Sequence, residues 1–205
     1  MRVVPTDNII FTVDDYSPEN IRLAQLFLEY HLPAVFLIEL VPQYDRTQTQ
    51  EADDQIKQLH ALGFEIGGHT QTHPQDMKLL NKDELYDEIV EAKQYVEGLI
   101  KEPLYWFAYP RGRYNQTVKD AVREAGFKYA RTTSLNLIDN SVPDYHAIEG
   151  NIHVYPRKEY DGEDWLEMAK TYFTAYHAVH VWLHGWELTK FNQWQKFEEL
   201  LKYLK

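Results

Sequence analysis

Short apolar runs alternate with longer amphipathic stretches along the whole chain. Residues 8–13 (NIIFTV) and 34–40 (AVFLIEL) have the length and composition of buried strands. Residues 18–31, between them, carry apolar side chains at helical spacing. The first forty residues therefore predict a β-α-β unit.

The same alternation continues to the end of the chain. Further strands are predicted at residues 64–67, 104–108, 129–132, 151–155 and 178–183, and helices at 51–62, 81–100, 115–125, 163–176 and 191–204. About seven strands alternating with helices indicate a parallel sheet that is closed or nearly closed. Because 205 residues are few for an eightfold barrel, we expect one α/β domain, residues 1–205, folded as a distorted (β/α) barrel of about seven parallel strands.

Composition narrows the classes of partner. The formal net charge is −11, whereas nucleic-acid binding depends on clustered Lys and Arg, so we expect no nucleic-acid partner. No apolar run has the ~18 residues of a membrane span, and Pro5 and Asp7 interrupt the start where a signal peptide is apolar. We therefore expect a cytoplasmic protein without a membrane span. The chain has no Cys, so any metal site must use His and carboxylates.

Polar residues with the chemistry of a metal site follow the predicted strands. In parallel barrels the loops after the strands converge on one rim. The first strand runs into Asp14 and Asp15, and adjacent carboxylates repel each other unless a cation or a proton intervenes. The third runs into His69 and His73, whose spacing lets both imidazoles face one point if the segment makes a helical turn. One carboxylate and two His can bind a divalent ion and leave positions open for water and substrate.

Each of these features has a simpler interpretation when taken alone. Asp14 and Asp15 could form a turn or a helix cap, and the His pair could decorate a polar turn. His184, after the last strand, could be a core histidine, and the aromatic residues are core by default. The conjunction at one rim favours a metal site. We expect no ligand role for the remaining histidines, which are His31, His60, His146, His153, His177 and His180.

In order and spacing, these residues resemble the polysaccharide deacetylases of carbohydrate esterase family 4, the NodB homology family. Asp14-Asp15 is similar to the first motif of that family, the segment 69–73 (HTQTH) to the second, and Leu183-His184 to the fifth. The resemblance implies that Asp14 is the general base and His184 the general acid. It also implies that Asp15, His69 and His73 bind one divalent metal ion; we expect Zn²⁺, for which Co²⁺ or Ni²⁺ could substitute.

The third motif departs from the family pattern. Ala108 stands where the family usually has the Arg that pairs with the base, and the sequence leaves open whether Arg111 or Arg113 replaces it or the base acts unassisted. The Pro110-x-Gly112 pattern is retained. Its resemblance implies a tight loop that points the backbone N–H of Arg111 at the developing oxyanion.

Two further features bear on the substrate and the acid. Tyr16 replaces a Gly usual in the family; Tyr16, Tyr109 and Trp186 are the candidates for contacts with a sugar. Residues 161–165 (DGEDW) resemble the fourth motif, whose Asp orients the acid, which would give that role to Asp161 or Asp164. The same segment also reads as an ordinary helix N-terminus capped by Asp161 or Gly162.

We therefore expect a metal-dependent hydrolase that removes the N-acetyl group from an amino sugar in a saccharide, glycan or glycolipid precursor. Amide hydrolysis needs a nucleophilic water, a stabilised oxyanion and a proton for the leaving amine. Two alternatives stay open from the sequence. One is an allantoinase-like or cyclic-imide amidohydrolase, which similar barrels support, and the other is a non-catalytic carbohydrate-binding relative.

Overall fold

The computed structural model of the chain describes residues 2–5, 7–41, 49–139 and 141–205. Within them, eight strands form one sheet in which every neighbouring pair is parallel. The strands are β1 (Ile9–Asp14), β2 (Ala34–Ile38), β3 (Glu65–Gly68), β4 (Trp106–Ala108), β5 (Tyr129–Leu135), β6 (Ile148–Gly150), β7 (Ile152–His153) and β8 (Val179–His184).

Helices connect most of the strands and cover the outside of the sheet. They are α1 (Asn20–Tyr30), α2 (Thr49–Ala61), α3 (Lys82–Tyr86), α4 (Ala92–Ile100), α5 (Gln116–Glu124), α6 (Trp165–Tyr176), α7 (Gly185–Lys190) and α8 (Trp194–Leu204). The single helix predicted over 81–100 begins at Asn81, as expected, but the π-helical segment Asp87–Glu91 separates α3 from α4. In the described part of the chain, no helix combines the length and apolarity that a bilayer crossing requires.

The sheet closes through one interrupted strand. Its order is β6-β5-β4-β3-β2-β1-β8-β7, and Asn151 alone separates β6, which pairs with β5, from β7, which pairs with β8. The Asn151 side chain accepts a hydrogen bond from His180 N (2.7 Å) and donates one to Asn136 O (2.9 Å). The expectation of a distorted barrel with about seven strands is confirmed, because β6 and β7 together occupy the place of one strand.

The interior of the barrel becomes more polar toward the carboxyl ends of its strands. Side chains alternate between the two faces of a strand, so Ile10, Thr12 and Asp14 of β1 share one face while the intervening residues pack against the outer helices. Thr12 lies beside Trp182, and Asp14 lies beside His184 in the β1–β8 register. The β1 row thus begins with the apolar Ile10, which lies beside His180 of β8, and both rows end in an ionisable residue at the rim.

Candidate active site

The carboxyl ends of β1, β3 and β8 meet around one cavity of about 280 Å³. The cavity opens at the rim of the barrel. All five residues that the sequence singled out as metal ligands or acid-base groups line it. The lining residues are Asp14, Asp15, His69, His73, Arg111, Thr133, Trp182, His184 and Trp186.

Asp15, His69 and His73 converge with their potential ligand atoms close together. Asp15 Oδ1 lies 3.4 Å from His69 Nε2 and 3.7 Å from His73 Nε2, and all three side chains are buried. One carboxylate oxygen and two imidazole nitrogens form a donor set that suits zinc and other divalent transition metals. Their separations leave room for an ion to draw the three atoms inward.

The hydrogen bond of His69 tests whether a cation fits this place. His69 Nδ1–H donates to the carbonyl oxygen of Ala108 at 2.9 Å, so the Nε2 lone pair of a neutral ring faces the Asp15 carboxylate. Such an arrangement requires a proton or a cation between the two atoms. Burial opposes protonation of His69, yet the nearby carboxylates, Asp15 first, raise its pKa above the ordinary value. A divalent ion can take the place of that proton, so the residues fit a metal.

The segment 69–73 does not form a helical turn, the condition under which the four-residue spacing alone would bring the imidazoles together. It is a loop in which Thr70 and His73 adopt left-handed backbone conformations, with φ of 71° and 50°. The carboxylate of Glu88 accepts hydrogen bonds from two backbone N–H groups of the loop, each at 2.9 Å. Glu88, an acid on the π-helical segment and distant in sequence, therefore holds the loop in the conformation that brings the two imidazoles together.

Four of the nine described residues other than Gly that have positive φ lie at this rim. Asp15, Thr70, His73 and Arg111 all have positive φ, between 50° and 71°. Such conformations cost on the order of 1–3 kcal/mol for residues other than Gly and persist where the surroundings enforce them. At Asp15 the enforcement is visible, since the Asn20 side chain donates to its carbonyl oxygen at 2.9 Å. These strained backbone conformations direct the side chains toward the site, and the buried hydrogen bonds around them maintain the conformations.

Asp14 is paired with an arginine that was not among those expected from the sequence. Arg131 Nη2 donates to Asp14 Oδ2, and both residues are buried, with 0% and 3% of their surface exposed. Arg131 lies on β5 directly beside Ala108 in register, so the guanidinium comes from the neighbouring strand. The two arginines that the sequence offered as replacements for the family's Arg have other positions. Arg113 donates to Gln75 O, and Arg111 lines the cavity.

A carboxylate from α7, the helix that directly follows β8, holds His184. Its Nδ1–H donates to Glu187 Oε2 at 2.9 Å, while Nε2 points back toward the site, 3.8 Å from Asp15 Oδ2. Burial disfavours the charged imidazole, but the bond to Glu187 and the charge of Asp15 raise the pKa of His184 to about 9. Although Glu187 is itself buried, its hydrogen bonds from His153 and His184 lower its pKa to about 2. The pair is thus an imidazolium and a carboxylate at neutral pH.

Glu187, rather than Asp161 or Asp164, is therefore the carboxylate that contacts the proposed acid. Asp164 caps α6 by accepting from Leu166 N at 2.9 Å, and its other oxygen pairs with Lys196. Asp161 ends the short 3-10 turn Lys158–Tyr160. Among the described residues, neither aspartate has a hydrogen bond or ion pair to His184. The segment is the helix N-terminus of the simpler interpretation, with Asp164 as the cap instead of Asp161 or Gly162.

The loop after β4 is as tight as the Pro-x-Gly pattern suggested. Pro110 begins a 3-10 turn in which Arg111 and Gly112 have φ of 56° and 65°. A Cβ on Gly112 would approach Thr133 Oγ1 to 2.1 Å, so only glycine fits there. The turn places Arg111 at the cavity wall, and the oxyanion role of its N–H stays a prediction.

The aromatic candidates separate into one cavity residue and two that pack elsewhere. Trp186 lines the cavity, as does Trp182. Tyr109 is a core residue, 1% exposed, whose hydroxyl donates to His146 O at 2.8 Å. Tyr16 packs at the edge of the core and is not among the residues lining the cavity.

A further acid, Glu39, lies behind the metal-site candidates and was not expected from the sequence. It follows β2, is fully buried, and accepts a hydrogen bond from Tyr16 N at 2.8 Å. Burial and the charge of Asp15 raise the pKa of Glu39 to about 7. Only its place at a strand end could have signalled it, since it sits within an apolar run.

A family model for polysaccharide deacetylases matches residues 2–130 of the chain. No curated protein matches the sequence significantly. Solved structures resemble the fold closely despite low identity, and at that identity they bear on the fold alone.

Three of these structures illustrate the resemblance. A CE4-family pseudoenzyme from Bacillus anthracis has a TM-score of 0.66 at 15% identity, over 98% of this chain and 62% of that one. A family 4 carbohydrate esterase from Streptomyces lividans, in complex with acetate, has a TM-score of 0.67 at 14% identity, over 97% of this chain and 88% of that one. A peptidoglycan N-acetylglucosamine deacetylase has a TM-score of 0.63 at 14% identity, over 95% of this chain and 81% of that one. The chain therefore spans less than two thirds of the pseudoenzyme but most of the two others.

Proposed function

The chain belongs to the polysaccharide deacetylase family, and on that premise we propose that it removes the acetyl group from an N-acetylated amino sugar in a saccharide, glycan or glycolipid precursor. The observation that carries the proposal is the content of one cavity. It holds three potential metal ligands, a buried carboxylate beside an arginine, and a histidine whose second nitrogen is tied to a glutamate. This is the complement of groups that amide hydrolysis requires.

Asp15, His69 and His73 would hold the metal ion, for which zinc suits the set of two nitrogens and one oxygen best. When bound, such an ion lowers the pKa of water to about 7 and polarises the acetyl carbonyl. Burial and the neighbouring His69 lower the pKa of His73 to about 4, so its ring is neutral, as a ligand must be.

Asp14 has the position of a general base. Arg131 occupies its Oδ2, whereas Oδ1 makes no hydrogen bond to any described residue and can accept a proton. The guanidinium fixes the direction of the carboxylate and offsets the cost of burying its charge. As the oxygen of the attacking water bonds to the acetyl carbon, one proton of that water passes to the carboxylate of Asp14.

His184 has the position of the general acid. Its Nε2 lies near Asp15 at the cavity, and its raised pKa keeps it protonated at neutral pH. The amine of a sugar leaves poorly as an anion, so the carbon–nitrogen bond breaks as Nε2 donates a proton to the nitrogen. Acetate and the free amino sugar result. Trp186, at the edge of the same cavity, would stack on a sugar ring.

Acetate release tests the proposal against its alternatives. We would incubate the zinc-loaded protein with N-acetylated mono- and oligosaccharides and, separately, with allantoin and hydantoin. Release of acetate by the wild type, lost in Asp14→Asn, supports the deacetylase. Ring opening of the cyclic amides without acetate release would identify the amidohydrolase instead. A protein that binds the saccharides but hydrolyses neither class would be a non-catalytic relative.

A further inference from the structure

A second histidine lies behind the carboxylate that holds His184. His153, on β7, donates from Nε2 to Glu187 Oε2 at 2.9 Å, the same oxygen that accepts from His184 Nδ1 at 2.9 Å. His153 is buried and is not among the residues that line the cavity. The three side chains thus form a row that runs from the barrel interior to the reaction site.

We propose that His153 is a positioning residue, which acts through Glu187 to hold the imidazole of His184 with Nε2 directed into the cavity. The proposal rests on the proposed function, since it assigns His153 to the same acid. His153 itself touches neither the substrate nor the metal ligands.

The anchoring that His153 provides cannot come from Glu187 alone. Glu187 lies only three residues after His184, in the first turn of α7, so their contact is local in the chain and does not link Glu187 to another part of the barrel. His153 belongs to a different strand, and both its ring and its backbone are held in place. It stacks on Trp182 with centroids 3.7 Å apart and planes at 4°, while the Tyr160 hydroxyl bonds both its backbone N–H (2.7 Å) and its carbonyl (2.9 Å). Glu187 is thereby tied to the barrel wall.

Packing alone does not account for a histidine at this position. Burial lowers the pKa of His153 to about 4, so the ring is neutral and has one N–H. This N–H is at Nε2 and donates a hydrogen bond to the Glu187 carboxylate, which leaves Nδ1 as a buried acceptor with no donor among the described residues. A buried acceptor without a donor is unfavourable, and a phenylalanine would stack on Trp182 without this penalty. The N–H directed at Glu187 is what the histidine supplies.

The same three atoms could in principle hold a cation, since His153 Nε2, His184 Nδ1 and Glu187 Oε2 lie within 4.8 Å of one another. Their geometry favours hydrogen bonds instead. Both nitrogens approach a single oxygen at 2.9 Å, the ordinary distance for N–H···O bonds. The metal content of His153→Phe distinguishes the two.

The test compares His153→Phe, which keeps the stacking, with His153→Gln, which keeps an N–H near the position of Nε2. We expect His153→Phe to lower kcat roughly 10–100-fold, the range seen when outer partners of a site are removed, with KM and metal content unchanged. His153→Gln should recover most of kcat. In a Glu187→Gln background, His153→Phe should cause no further loss, because its effect passes through Glu187. His146→Phe, a half-buried histidine that bonds Phe127 O, is the matched control.

Two kinetic outcomes would overturn the proposal, namely full kcat in His153→Phe or equal loss of kcat in the Phe and Gln variants. Loss of one bound metal ion per chain in His153→Phe would overturn it as well. A readout without turnover separates this proposal from the proposed function. The Nδ1 proton of His184, observed by NMR, should exchange with water faster in His153→Phe than in the wild type or His153→Gln. Unchanged exchange refutes the positioning role, whereas a wild type that releases no acetate but shows the expected exchange refutes only the deacetylase.

Discussion

The guanidinium of Arg131 contacts the carboxylate of Asp14 inside the barrel, where neither residue is appreciably exposed to solvent. Removing one partner of a buried ion pair leaves the other charge uncompensated. We expect Arg131→Leu to lower the free energy of unfolding by about 3–5 kcal/mol, measured by urea denaturation. Arg123→Leu, which breaks the exposed pair with Asp120, is the control and should change stability far less. Equal effects would show that the Arg131–Asp14 pair stabilises the fold no more than the exposed pair does.

Ala108 and Arg131 lie side by side on β4 and β5, so either strand can supply the guanidinium. We expect Arg131→Ala to reduce acetate release and Ala108→Arg, added to it, to restore part of the loss. The small side chain left at 131 makes the room that the new arginine needs. Ala108→Arg in the wild-type background is the control and should be destabilised by crowding. No recovery in the double variant would mean that only β5 can direct an arginine at Asp14.

Metal content should follow the three proposed ligands. We expect about one zinc ion per chain in the wild type, and strong loss in His69→Ala, because an imidazole supplies one of only three protein ligands. Metal analysis after dialysis measures this directly. His60→Ala, a change at a histidine far from the cavity, should retain the ion. Equal occupancy in wild type and His69→Ala would place the ion elsewhere.

Asp14→Asn should separate catalysis from metal binding. The amide keeps the shape of the side chain but cannot accept a proton, so acetate release should fall at least ~10²-fold. Metal occupancy should stay near that of the wild type, because Asp14 is not one of the three clustered ligands. Near-full activity in this variant would contradict the assignment of Asp14 as the base.

The alkaline limb of the pH profile should report on Glu187. Its hydrogen bond helps raise the pKa of His184 from 6.5 to about 9, and the proposed acid is active only while protonated. Turnover should therefore fall as pH rises through the pKa of His184. In Glu187→Gln the imidazolium loses its carboxylate, and the fall should begin at lower pH. A pH profile of kcat measures the shift. An alkaline limb at the same pH in both proteins would show that Glu187 does not set the pKa of the titrating group.

Much of the site followed from the sequence because of one property of parallel barrels. Their strands all end at the same rim, so residues placed just after predicted strands are brought together whatever the details of packing. Asp14, Asp15, the histidines at 69 and 73, and His184 were found in this way, and the structure places them around one cavity. The apolar alternation likewise predicted the barrel and its parallel strands.

What the sequence left open depends on distances across the barrel. Arg131 reaches Asp14 from four strands away in the sheet order, and His153 reaches Glu187 from β7, so no local spacing connects either pair. Their meeting depends on strand register and on which face each side chain occupies, because a shift of one residue turns a side chain to the other face. The sequence determined which chemistry gathers at the rim. Only the tertiary structure decided which buried partners orient it.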